Sequence, residues 1–195
     1  MAFPDVWMEV GLVSVTKASG STYQFSANTE TIDISEPDYP GEGIPSLAGG
    51  RMWKQSPQED GEVTLEMYPT KLDIESNSGL FQQFAGSTDS SGALTTLVTF
   101  AAGVSRARDR FMVAVLWTND AAATDAAGAT AASTDSLRFY AKECRITSHK
   151  AEYTDGVLKT TVTFKFPAFN QAGTARNYAW ESGSQTALVT LGSYT

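Results

Sequence analysis

The chain has 195 residues, 42% of them apolar, and 14 basic against 22 acidic side chains give a formal charge of −8. That size suits one β domain with a real core, expected to span 1–195. The negative balance excludes general wrapping of nucleic acid, which needs many Lys and Arg against phosphates.

Cys144 is the single cysteine, so an intrachain disulfide is impossible. It is expected to be a small buried apolar residue. The opening, MAFPDVWMEVG, lacks a basic segment followed by an apolar run, so no secretory signal is read there. No stretch approaches the ~18 apolar residues of a membrane helix. The expectation is a protein made in a cytoplasm, without membrane insertion.

In chain order, the first strand is expected over 10–16, with Val13 and Val15 on one face, and a second over 29–35, where Ile32 and Ile34 alternate with Thr31, Asp33 and Ser35. Residues 36–57, EPDYPGEGIPSLAGGRMWKQSP, contain four prolines and four glycines, which deny them a regular helix or central strand. Loops longer than ~12–15 residues usually bind something or are disordered. Tyr39, Ile44, Leu47, Met52 and Trp53 are too apolar for a solvated linker. Two readings stand: they cover the chain's own core, or they form an arm against a neighbouring subunit.

Residues 61–68 alternate Val63, Leu65 and Met67 with Glu62, Thr64 and Glu66, a half-buried strand. A short helix is expected over 76–84, capped by Ser76 or Asn77, with Leu80, Phe81 and Phe84 as its apolar stripe. Strand character returns at 94–100. Residues 108–117, RDRFMVAVLW, are apolar on both faces beyond Arg110, so they predict a central strand or one covered by another element or subunit. Residues 119–136 are Ala-rich without a large anchor, and read as a flexible exposed loop.

The tract 137–169 reads as two strands joined at Asp155-Gly156, a dipeptide that tolerates positive φ. In its second arm Leu158, Thr160, Val162, Phe164 and Phe166 point one way, and Lys159, Thr161, Thr163 and Lys165 the other. A last strand is expected over 186–191. About eight strands and one helix leave sheet edges that invite another chain, closed either within the subunit or between copies.

No catalytic, cofactor or metal cluster is found. Cys144 and His149 are too few for a zinc centre, and their opposite parity on one strand turns them to different sides. Glu62 and Glu66 sit on the polar face of an ordinary strand, and Gly41, Gly43, Gly49 and Gly50 match no phosphate-binding loop. Arg106, Arg108 and Arg110 alternate by two, a positive row that fits either carboxylates of a neighbour, such as Glu62 and Glu66, or an internal salt network.

The layout resembles the tail tube (major tail) proteins of tailed bacterial or archaeal viruses. The resemblance is carried by the β-rich start through DIS, the loop EPDYPGEGIPSLAGGRMWKQ, the strand EVTLEMY, the helix around GLFQQFAG and the hairpin HKAEYTDGVLKTTVTFKFPAF. It implies a mainly β, sandwich or barrel-like fold with one short flanking helix and a long intersubunit loop. It also implies a structural, non-enzymatic subunit of the virion tail, assembled in the host cytoplasm, whose hexameric rings stack into a hollow conduit for DNA. Residues 36–57 would be the assembly arm. Tape-measure, tail terminator and baseplate proteins would be partners, with or without a sheath, and DNA would pass without sticking. A carbohydrate- or receptor-binding β-sandwich is the alternative, resting on Tyr39, Trp53, Tyr178 and Trp180 as exposed aromatics.

Overall fold

Apolar residues recurring every second position leave few options but paired strands, and twelve strands occur among the described residues. The computed structural model describes residues 10–17, 22–25, 29–69, 86–88, 94–97 and 110–192. The helix expected over 76–84 and the end of the strand expected over 94–100 lie outside them.

The strands are β1 Val10–Lys17, β2 Thr22–Phe25, β3 Thr29–Ser35, β4 Gly41–Pro45, β5 Arg51–Gln55 and β6 Gly61–Met67, followed by β7 Gly86–Thr88, β8 Leu94–Leu97, β9 Phe111–Thr118, β10 Ser136–Thr154, β11 Val157–Phe166 and β12 Tyr178–Gly183. An antiparallel path runs β2-β1-β9-β10-β11-β6-β3, with β12 also on β10. The fold is mainly β, as its patterning predicts.

β10 is the spine. Its first half, 136–144, pairs with β9, and 136–141 also pair with β12. Its second half, 145–154, pairs with β11. Between the halves the register with β9 shifts after Ala141, and Glu143 takes φ 60°. A bulge of this kind bends a strand and lets it serve two sheets. The half-sheet β2-β1-β9-β10-β12 therefore faces the half-sheet β10-β11-β6-β3 across one core.

That core takes Val13 and Val15 from β1, Val63 and Leu65 from β6, Val113 and Val115 from β9, and Val162, Phe164 and Phe166 from β11. Phe111 meets Phe164 edge-on across it, ring centres 6.2 Å apart. Burying each such side chain contributes roughly 1.5–3 kcal/mol. The alternation expected in β11 is present: Thr160, Val162, Phe164 and Phe166 are buried. Asp155 and Gly156, at φ 54° and 82°, form the two-residue turn between Thr154 and Val157.

β9 is buried on both faces because it is central and also covered. Met112, Ala114 and Leu116, turned away from the main core, pack with Ala126, Ala127 and Leu188. The Ala-rich segment expected to be an exposed loop thus lies against the sheet. The Ser14 hydroxyl donates to Asp125, and the Ala126 amide donates to Ser14 Oγ at 2.9 Å. Asp120 accepts from the Ala131 and Ala122 amides at 2.8 and 2.9 Å, which holds its carboxyl below the usual aspartate value. Small side chains suit this close layering and need no helix.

The strand expected over 186–191 is instead an irregular tail, with Leu188 buried and Val189 exposed. Its backbone bonds go to that segment, Thr130 N to Leu188 O at 3.1 Å and Leu191 N to Ala127 O at 2.8 Å. The last strand is β12, eight residues earlier.

Arg138, on β10, secures both coverings. Its guanidinium donates to Glu181 (2.6 and 2.9 Å), Gly128 O (3.1 Å) and Val189 O (2.8 Å), and its side chain is fully buried.

Candidate assembly surface

Residues 36–60 join β3 to β6, and in place of a structureless loop they form a projecting ribbon of β4 and β5. Pairs run from Gly41–Gln55 at the base through Gly43–Trp53 to Pro45–Arg51 at the tip. The tip closes with Gly49 N on Ser46 O at 3.0 Å and Ser46 N on Gly50 O at 2.7 Å, and Gly49 has φ 82°, a conformation that favours glycine. Prolines and glycines forbid a central strand but not a free ribbon, because Pro45 sits opposite Arg51 in a pair that needs no ladder donor.

Every residue of β4 and β5 is exposed. Leu47 stands fully in solvent, Trp53 is 71% and Met52 62% exposed, and Ile44 and Tyr39 are near 37% and 40%. Ile44, Leu47, Met52 and Trp53 do not cover the chain's own core, whereas Tyr39 turns back to the buried Tyr178. One face of the ribbon presents the Ile44–Met52 pair with Glu42–Lys54; on the other, Trp53 lies over Gly41, where a Cβ would sit 2.4 Å from its ring. Exposed apolar side chains grouped this way mark interaction sites.

The root is fixed. Pro37 is buried, Ser56 N reaches Pro40 O at 2.9 Å, and Glu59 N reaches Asp38 O at 3.2 Å. Trp180 of β12 donates its indole N–H to Glu36 at 2.7 Å and stacks on Trp117. Tyr178 is buried and hydrogen-bonded to Tyr39, and burial foremost pushes its phenol up to about 12. Period-two aromatics at 178 and 180 were the sequence signal for β12. These engagements also disperse the aromatic set on which glycan binding rested: Tyr178 is inside, and Trp180 braces the ribbon.

Arg110 pairs with Glu143, at the bulge of its own chain. Arg106 and Arg108 lie outside the described residues. Glu62 and Glu66 are held by Lys165 and Lys159 at 3.5 and 3.1 Å, so these two carboxylates belong to an internal network. Lys159 also meets Glu30 at 2.9 Å, and Tyr68 donates to Glu30 at 2.8 Å. Lys159 first, then Tyr68, lowers the Glu30 pKa, while Lys159 itself is raised.

The network lies on the outward face of β10-β11-β6-β3. In the register that face carries Thr31, Asp33, Thr64, Thr161, Thr163 and Ser148 between the charges. Five acidic residues (Glu30, Asp33, Glu62, Glu66, Glu152) stand there against four basic ones (Arg145, Lys150, Lys159, Lys165), a near balance. Among the described strands, β3 and residues 145–154 of β10 each have one unpaired edge.

Cys144 is buried in the core, and burial raises its thiol pKa. His149 and Cys144 do not face opposite sides, as strict alternation would have them. The register shift between Ile146 and Ser148 pairs His149 with Val162, and so turns it to the core-facing side that Cys144 shares. A thiol held protonated by burial is a poor nucleophile. Among the described residues no group of three or more His, Cys, Asp or Glu is placed to hold a metal ion.

No protein-family model matches the chain, and no curated protein matches it. Solved structures do. The chain is similar to one in the cryo-EM structure of an extracellular contractile injection system, the PVC sheath/tube terminator in its extended state, with TM-score 0.53, 10% identity, and 92% of this chain and 98% of that one covered. It is similar to a chain of the anti-feeding prophage cap, a tube terminating cap, with TM-score 0.51, 8% identity, and 94% of each chain covered. A chain of the PVC sheath-tube complex gives TM-score 0.50 at 9% identity, covering 87% of this chain and 88% of that one. At such identities the likeness is one of fold: the chain has a fold found in components of contractile injection systems.

Proposed function

We propose that the chain is a structural subunit of a hollow tube, closed into rings by its own copies and stacked along an axis. The observation that carries this is the projecting ribbon, whose apolar side chains stand in solvent on a braced root and have no place in the chain's own core. The fold it shares with chains of tube-terminating assemblies supports the same reading.

The half-sheet β10-β11-β6-β3 is the proposed wall of the bore. Its outward face is built from hydroxyls and balanced charges, and both of its edges, unpaired among the described strands, would pair with copies, which would finish their backbone hydrogen bonds and remove the edges. A phosphate backbone would meet neither a basic track nor an apolar surface there. The rings are proposed to be hexameric and the tube to be that of a viral tail, assembled in the host cytoplasm and conducting DNA, with tape-measure, terminator and baseplate proteins as partners. A tube of a contractile injection device is the neighbouring reading, and the comparisons favour it over a glycan-binding module.

Negative-stain electron microscopy of purified protein, with a mass measurement, tests the proposal. Rings or tubes are expected, with six-fold class averages. Removing residues 38–55 is expected to leave a β-rich subunit by circular dichroism and to abolish tubes. Normal tubes from that deletion, or a full-length protein that stays monomeric when concentrated, would overturn it.

A further inference from the structure

Trp180 and Glu181 are neighbours on β12 and point to opposite faces of its sheet. Trp180 lies on the core side, where it stacks on Trp117, packs beside Phe139 and donates to Glu36 at 2.7 Å. Glu181 lies on the outer side and holds the guanidinium of Arg138 at 2.6 Å; the same guanidinium donates to the Val189 carbonyl at 2.8 Å. β12 itself is a six-residue edge strand, bonded among the described strands only to β10.

From the end of β12 the chain runs straight into residues 184–192, which fold back over the outer face of β9 as a strap. Gly183 marks the fold-back, since a Cβ there would lie 2.6 Å from Thr186 O and 3.3 Å from the Leu188 side chain. The strap is lightly fastened. Leu188 is its only buried side chain, seated with Met112, Leu116 and Ala126. The Leu188 amide donates to Thr130 Oγ1 at 3.3 Å and the Leu191 amide to Ala127 O at 2.8 Å. A segment with so few buried contacts opens at a lower free energy than the whole domain.

We infer that β12 is a lever that couples the ribbon root to this strap. A contact that draws Glu36 away from Trp180 loosens the edge strand, and with it the chain of bonds from Glu181 through Arg138 to Val189 O. Lifting the strap bares the outward side chains of β9, Met112 and Leu116. Coupling of this kind is reciprocal, so a loosened strap also slackens the root. It is a property of the single chain and stands whether or not copies build a tube.

Amide hydrogen exchange of the unassembled subunit, followed by NMR, tests the coupling in Glu36→Ala, which changes an exposed side chain on the other side of β12 from the strap. The Leu188 and Leu191 amides are expected to exchange about fivefold faster or more, the lower end of couplings between sites. The Leu65 and Val162 amides of β6 and β11 should keep the parent's rates, and Glu36→Gln, which retains an acceptor for the indole, should match the parent throughout. In the other direction, Leu188→Ala should quicken the Ser56 and Glu59 amides, which close the root on Pro40 and Asp38. Strap amides unchanged in Glu36→Ala, or root amides unchanged in Leu188→Ala, would overturn the inference. An equal quickening of Leu65 and Val162 would reveal lost global stability in place of coupling and would overturn it too. A strap as loose in Glu36→Gln as in Glu36→Ala would remove the indole bond as the link and overturn the lever.

Discussion

The buried guanidinium of Arg138 gives the sharpest stability prediction, because its ion pair is lopsided. The Arg138 side chain is fully buried, whereas that of Glu181 keeps 31% of its surface in solvent. Removing Glu181 strands a cation that stays charged and has no route to water, leaving it only the carbonyls of Gly128 and Val189. Breaking a buried pair this way costs about 3–5 kcal/mol. Removing Arg138 lets Glu181 turn to water and leaves two carbonyls without their donors, at about 1 kcal/mol each. Arg138→Met, which keeps most of the volume, should therefore cost only about 2 kcal/mol. Glu181→Ala should be the more damaging change, by ~1–3 kcal/mol. In a chain of this length that is roughly 2–12 °C in Tm, at ~2–4 °C per kcal/mol. The double variant should resemble Arg138→Met alone. Urea unfolding of the unassembled subunit, followed by tryptophan fluorescence, measures all three. If Arg138→Met proves the worse by more than about 1 kcal/mol, the argument from unequal access to water fails.

Two further expectations concern the ribbon root. A Cβ at Gly61 would lie 2.3 Å from the ring of buried Phe166 and 2.8 Å from Pro37, so Gly61→Ala should destabilise by about 1–3 kcal/mol. Gly43→Ala, with only Arg51 at 3.7 Å, should stay within about 0.5 kcal/mol of the parent, and equal denaturation midpoints for the two would refute the packing argument. The Tyr178 phenol, raised from 10.0 to about 12, keeps its proton longer in the folded chain than in the unfolded one. Its contribution is whole below pH 10 and is lost as pH rises from 10 towards 12, where the unfolded phenol ionises first. Ultraviolet titration should find a late-ionising tyrosine that moves to lower pH in Tyr39→Phe; a chain whose tyrosines all titrate together near 10 would refute this.

What the amino-acid sequence determined alone is what depends on near neighbours along the chain. Side chains of a strand alternate whatever lies opposite, so β3, β6 and β11 were legible from period two, β9 from an apolar run on both faces, and the turn at Asp155-Gly156 from its tolerance of positive φ. The apolar residues of 36–57 were likewise visible as out of place in a linker. Tertiary structure alone decided which surfaces those residues meet. Whether Trp53 and Met52 cover the core or face water depends on where the ribbon projects, and that follows from a root braced by Trp180 and Tyr178, more than a hundred residues away. The same distance hid the packing of Ala126 and Ala127 on β9, the Arg138 clamp, and the bulges that give β10 two sheets and turn His149 inward. Small residues and single bulges carry almost no periodic signal, because their energy comes from backbone geometry and from contacts that exist only once distant strands have met.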